Sequence, residues 1–257
     1  MDYLVICLAS LITSALTLFS GFGLGTLLLP AFALFFPVDV AVGLTAAVHF
    51  LNNLFKLSFF GKSANWGVVL RFGLPAVLAA FLGAGALYWL SNLAPIASYR
   101  LFGRELHVMP VKFVVSLLMI VFALFELVPT FEKISFDKRY LPIGGLLSGF
   151  FGGLSGHQGA LRSAFLVKSG LSKESFIGTG VLIACLVDLT RLSVYSTHFS
   201  RSEIRGDALL LLAAVASAFL GVFLGSRMVK KITMRSIQVI VAIMLIGIAL
   251  ALGSGLI

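Results

Sequence analysis

Ser20-Gly21-Phe22-Gly23-Leu24-Gly25 interrupts an apolar run that extends from Tyr3 to Phe36, and Ser155-Gly156-His157-Gln158-Gly159 interrupts a second from Leu141 to Lys168. Glycine weakens a helix and admits positive φ, so each run reads as a pair of helical pieces with a break between them. The pieces are Tyr3 to Phe19 with Leu24 to Phe36, and Leu141 to Leu154 with Ala160 to Lys168. The second piece of each pair is short of the about 20 residues needed to cross about 30 Å of hydrocarbon. Six other stretches read as spans: Val40 to Phe60, Val68 to Leu90, Phe113 to Val128, Phe176 to Tyr195, Ala208 to Leu224 and Ile237 to Leu252. Non-helical backbone is tolerated at membrane depth only where protein buries it or a cavity adjoins it, so the two breaks point to a functional interior.

Working outward, 60% of the 257 residues are apolar and the mean hydropathy is +1.09. That leaves too little polar surface for a water-soluble domain and describes a polytopic membrane protein. The net charge of +9 then belongs mostly to short connecting loops, and nucleic-acid binding is a poor reading. Cys7 and Cys185 each lie inside an apolar run and read as packing residues, with no disulfide framework or metal cage. His107 and His198 are read as loop residues without a second histidine at ligand spacing, so no metal site is expected. The first segment follows Asp2 instead of a basic region and reads as retained. No nucleophile elbow, P-loop or paired catalytic carboxylates occur, so the residues support neither an enzyme nor an ATP-driven pump, and no cofactor is expected.

The halves echo one another at a constant offset of 135: Gly21 with Gly156, Gly43 with Gly178, Asn53 with Asp188, Lys56 with Arg191, Ser58 with Ser193. Phe81-Leu82-Gly83 matches Phe219-Leu220-Gly221 at an offset of 138, as an insertion of three residues would produce. The expected architecture is all-α: two inverted repeats, residues 1–128 and 141–257, joined by a charged linker at 129–140 into one transmembrane domain. Each repeat is a Gly-broken pair, re-entrant or of half-helices, followed by three transmembrane helices. On this parse Lys62, Lys133, Lys138, Arg139, Lys168, Lys173, Arg227, Lys230, Lys231 and Arg235 gather on one side, against Arg100, Arg104, Lys112, Arg201 and Arg205 on the other. The richer side should be cytoplasmic and both termini periplasmic; if each broken pair instead crosses only once, the tally is nine against six and the repeats are parallel, and the first parse is preferred.

Polar groups inside the spans are costly and need a reason. His49, Asn52, Asn53 and Lys56 share one helical face, and the matching face of the second half carries Ala184, Val187, Asp188 and Arg191. Asp188 stands three residues before Arg191, a spacing that permits an internal ion pair, so the first face is the freer to bind an anion. Lys56 and Arg191 are read either as snorkelling to an interface or as anion ligands. Asp188 is either the partner of Arg191 or a proton-coupling carboxylate, and His49 either an interhelical hydrogen-bonding group or a proton relay. At the breaks, Gly21, Gly23, Gly25, Gly156 and Gly159 let backbone amides approach a ligand, while His157, Gln158 and Arg162 add donors. Close helix packing is the competing use of these glycines.

Ser20-Gly-Phe-Gly-Leu-Gly25, Pro30, Ala41-Val-Gly-Leu-Thr45 and His49-Phe-Leu-Asn-Asn-Leu-Phe-Lys56, with the echo Gly152-Gly-Leu-Ser-Gly156, resemble the sulfite exporter TauE/SafE family of bacterial membrane permeases. The resemblance implies secondary transport of small sulfur-containing or organic anions, such as sulfite, sulfonates or sulfoacetate, across the bacterial inner membrane. Its glycine breaks carry over to Gly21, Gly23, Gly25, Gly156 and Gly159. The expected function is export by alternating access around a mid-membrane anion site, with one repeat rocking against the other and protons as a candidate coupling ion. Proton- or sodium-coupled uptake is the alternative within the class. An anion channel or a membrane scaffold is the alternative outside it.

Overall fold

The computed structural model describes residues 2–20, 24–101, 103–128, 134–198, 208–228 and 234–257. In the first half, α1 is Asp2–Ser20, α2 Leu24–Ala33, α3 Val38–Phe60, α4 Trp66–Ser91 and α5 Pro110–Leu127. The second half holds α6 Leu141–Ser155, α7 Gly159–Leu166, α8 Lys173–His198, α9 Ala208–Met228 and α10 Met234–Gly253. These helices coincide with the apolar stretches, as expected where backbone groups without water must bond within their own segment. Three stretches, Val38–Ser63, Trp66–Ser91 and Lys173–Thr197, are long and apolar enough to cross a bilayer, and shorter apolar helices accompany them. The protein is an α-helical membrane protein.

One element departs from the all-α expectation. Strands β1 (Ala97–Leu101) and β2 (Arg104–Val108) pair antiparallel between α4 and α5, with Gly103 at φ 78 in the turn. A search for apolar runs has no way to register a hairpin that buries almost nothing. His107 therefore lies in a strand, and His198 is the last residue of α8, rather than in loops. Inside α4 the turn Val69–Gly73 is π-helical. Pro75, two residues beyond it, has no N–H for the carbonyl four residues earlier, so a local widening there is a natural accommodation. Of the expected charged linker, residues 129–133 lie outside the described residues, while Phe136 stacks on Phe165 of α7 at 4.2 Å.

The two faces of α4 show which solvent surrounds the fold. Leu70, Leu74, Leu78 and Leu82, one turn apart, are 63%, 59%, 59% and 70% exposed, a ridge that suits hydrocarbon and not water. The opposite ridge, Phe72, Ala76 and Ala80, is buried against Gly145, Gly149 and Gly153 of α6, which repeat at the same interval. A side chain on any of these three glycines would overlap the carbonyl oxygen it faces on α4, and on Gly83 it would overlap that of Phe150. Small residues let the backbones approach, and dispersion then holds helices that lipid would otherwise separate. Helix α1 packs on α9 in the same manner, with Gly221 against the Leu11 carbonyl. Further contacts join α3 to α8, α5 to α10, α4 to α8 and α3 to α9, while α2 meets α10 and α7 meets α5.

Gly149→Val should lower the stability of the detergent-solubilised protein by about 1–3 kcal/mol, because the added carbons must push α4 away. Gly85→Val, at a glycine with open space around it, should leave the thermal midpoint nearly unchanged.

Candidate functional site

Helix α3 presents His49, Asn52, Asn53 and Lys56 inward, all at most 6% exposed. Helix α8, packed against it, presents Asp188 and Arg191, both fully buried. Lys56 and Arg191 are both buried within the protein, at 6% and 0% exposure. The Asp188 carboxylate is the meeting point. One oxygen, Oδ2, lies 2.6 Å from His49 Nδ1 and accepts from Asn53 Nδ2 at 3.4 Å. The other, Oδ1, accepts from Arg191 Nη2 at 2.8 Å, Arg191 Nε at 3.0 Å and Gln158 Nε2 at 3.2 Å. Gln158 in turn accepts from Arg162 Nη1 through Oε1 at 3.1 Å. A buried carboxylate is tolerable only when cations and donors surround it in this way.

The break between α6 and α7 delivers Gln158 to that point. Helix α6 ends because Gly156 turns to φ 84, its N–H bonding back to the Gly152 carbonyl, in the manner of a glycine cap. Only glycine suits the position: φ is left-handed, and a Cβ there would stand 2.8 Å from Arg191 Nη1. Arg191 Nη1 donates to the Gly152 carbonyl at 3.4 Å and Tyr195 OH to the Gly153 carbonyl, so the negative end of α6 has its own cation and donor. The Gln158 carbonyl accepts from Ser148 Oγ at 3.0 Å, which ties the break to the body of α6.

At the start of α7 the arrangement is the reverse. Gln158, the N-cap residue, makes no side-chain bond to the helix amides, and Gly159 begins the first turn. The amides of a first turn have no partners within their own helix and carry partial positive charge. Arg162 stands one turn further along. Nearby, His157 stacks on Phe122 with ring centroids 5.2 Å apart and meets Ser155 Oγ through Nδ1 at 3.0 Å. Its Nε2 is buried with no partner among the described residues. The same is true of Asn52 Nδ2, although Asn52 Oδ1 accepts from Ser14 Oγ of α1 at 3.1 Å.

Of the residues singled out from the sequence, His49, Asn53, Gln158, Arg162, Asp188 and Arg191 are thus joined in one hydrogen-bonded cluster, with Asn52, Lys56, Gly156, His157 and Gly159 on the same elements. Gly21 and Gly23 lie outside the described residues, and Gly25 falls in the first turn of α2. Sequence reasoning passed over Ser148, Tyr195 and Ser14. Ser14 was findable: Ser10, Thr13 and Ser14 fall at i, i+3 and i+4 of an apolar helix, and all three are buried. Ser148 acts on the Gln158 carbonyl across the α6–α7 break and Tyr195 on the Gly153 carbonyl from another helix, and sequence spacing gives no signal for either.

The family model of the sulfite exporter TauE/SafE matches residues 6–252. The chain belongs to the TauE/SafE family. It is accordingly a membrane transporter of the sulfite and anion class, and the buried cluster described above lies inside a TauE/SafE chain. No curated protein and no solved structure matches this TauE/SafE member.

Asp188→Asn should cost about 3–5 kcal/mol, read as a lower thermal midpoint, because it leaves the Arg191 guanidinium buried without its counter-charge. Combining it with Arg191→Met should recover most of that loss, since both charges then leave together.

Proposed function

We propose that this protein is a secondary transporter that exports a small sulfur-containing or organic anion, such as sulfite, a sulfonate or sulfoacetate, by alternating access around the cluster at the α6–α7 break. The observation that carries the reading is the division of labour there. The carbonyl end of α6 is served by Arg191 and Tyr195, while the amide end of α7 has no side-chain cap and stands beside Arg162. Protein groups supply what a cation would, and leave open what an anion supplies. Lys56, buried 94% on α3 and without a hydrogen-bond or ion-pair partner among the described residues, adds a second positive group. Asp188 holds Arg191, His49, Asn53 and Gln158 in place, so the ligand-binding roles fall to the α7 amides, Arg162, Lys56 and His157. The corresponding role in the first half falls to Gly21, Gly23 and Gly25.

A two-fold relation between the halves accounts for the packing, and we take the two repeats to be inverted. Exchanging the halves carries the α4–α6 contact onto α9–α1, α4–α8 onto α9–α3 and α5–α7 onto α10–α2, while α3–α8 and α5–α10 map onto themselves. That is the pattern of a pseudo-two-fold axis passing near the α3–α8 contact. The glycine contacts join a helix of one half to a helix of the other, so in this reading the rocking bodies are cross-half pairs. The protein sits in the bacterial inner membrane with both termini periplasmic, a placement supported by the distribution of Lys and Arg. The membrane potential, about 2.3 kcal/mol per charge per 100 mV, then favours anion efflux from a negative interior.

One observation favours a second reading, proton-coupled uptake: the 2.6 Å contact between His49 and Asp188 is a buried acid–base pair joined to the site through Gln158. An imposed pH gradient that leaves flux unchanged would dismiss it.

In reconstituted vesicles loaded with sulfite the protein should show saturable flux with counterflow. Lys56→Gln and Arg162→Gln should each cut that flux by about tenfold or more while the folded protein is retained, since each removes a transport-site charge. Unchanged kinetics in both variants would take these residues out of the site, unsaturable flux would indicate a channel, and no flux of any small anion a scaffold.

A further inference from the structure

Asn53 and Asp188 occupy the same position in the two halves, each three residues before a cation, Lys56 or Arg191. At that spacing, about one helical turn, a carboxylate can neutralise the cation that follows it. Asp188 does so, taking two hydrogen bonds from Arg191 at 2.8 and 3.0 Å. In α3 the first position is an amide instead. Asn53 spends its Nδ2 on Asp188 and on the His49 ring, at 3.4 and 3.2 Å, and brings no negative charge to Lys56. Lys56 is 6% exposed, no carboxylate pairs with it among the described residues, and the guanidinium of Arg162, of the same sign, is near enough to act on it. Counting His49 as neutral, the described residues bring three positive groups here, Lys56, Arg162 and Arg191, and one carboxylate, Asp188, which leaves two positive charges uncompensated among them. Like charges held together out of water raise the energy of the empty site until a ligand neutralises them.

We infer that Asn53 sets the valence of the anion this transporter binds. By being neutral it leaves Lys56 available, and the site takes a small oxyanion carrying two negative charges in preference to one carrying a single charge. Asn53 is a specificity-determining residue that acts through Lys56 and does not itself touch the ligand. The inference rests on the anion-transport reading above and deepens it to a charge class.

Two probes of nearly the same shape differ by one charge: sulfoacetate, with a sulfonate and a carboxylate, and sulfoacetamide, in which an amide replaces the carboxylate. Their affinities for the purified full-length protein are measured by titration calorimetry at one mildly alkaline pH. The wild-type protein should prefer sulfoacetate. Asn53→Asp should reduce that preference about tenfold or more, because the new carboxylate, in place of an amide 3.4 Å from Asp188, lowers the net positive charge of the site by one. Asn53→Ser, which removes the amide without adding charge, should keep it. Should Asn53→Asp yield no folded protein, the comparison is read on Lys56→Met, which removes the same single charge and should reduce the preference equally. A wild-type ratio retained in Asn53→Asp, or in Lys56→Met where that variant stands in, overturns the inference and leaves anion transport standing. Binding of neither probe to the wild-type protein overturns the anion reading itself.

Discussion

A carboxylate buried among helices is the constraint from which the arrangement follows. Asp188 has no water to lean on, so its two oxygens must be satisfied by protein, and the donors come from α3, α8 and the α6–α7 break. His49 and Asn53 fix α3 against α8. Arg191, held by the same carboxylate, reaches across to the Gly152 carbonyl of α6, beside the left-handed Gly156 that ends that helix. Removing the carboxylate would strand a guanidinium in an apolar interior, which is why a single side chain can order three elements at once.

Glycine does two different jobs in this fold. On α6, Gly145, Gly149 and Gly153 face the backbone of α4 and allow close approach, which in lipid replaces the hydrophobic drive that packs helices in water. At Gly156 the chain needs a left-handed residue with no side chain, because the guanidinium of Arg191 occupies the space beside it. The first job makes a stiff pair of helices. The second opens one helix, leaving the carbonyls of α6 on one side of the gap and the amides of α7 on the other. In the proposed transport site both would serve, since a fixed scaffold keeps partial charges aimed at a ligand without reorganisation.

The helices were legible because membrane-buried segments announce themselves by length and apolarity, and the second break because three residues between apolar runs, Gly156, His157 and Gln158, cannot continue a helix comfortably. The hairpin at Ala97–Leu101 and Arg104–Val108 was not legible, since its pattern carries no burial signal. The face of His49, Asn52, Asn53 and Lys56 followed from helical periodicity, and the pairing of Asp188 with Arg191 from a spacing of three. The contact between His49 and Asp188 joins residues 139 apart in sequence, and nothing in local spacing predicts it.

The sequence by itself determined which segments leave water, where the run from Leu141 to Lys168 is interrupted, and that Lys56 has a neutral residue where Arg191 has an acid. These are consequences of composition and of the 3.6-residue period, both local properties of the chain. Only the tertiary structure decided that Asp188 gathers ligands from three elements, that Arg191 is committed to the protein, and that the Gln158 side chain goes to Asp188 and Arg162 instead of capping α7. Each of those depends on which helices touch, and for residues far apart in sequence that is settled by packing.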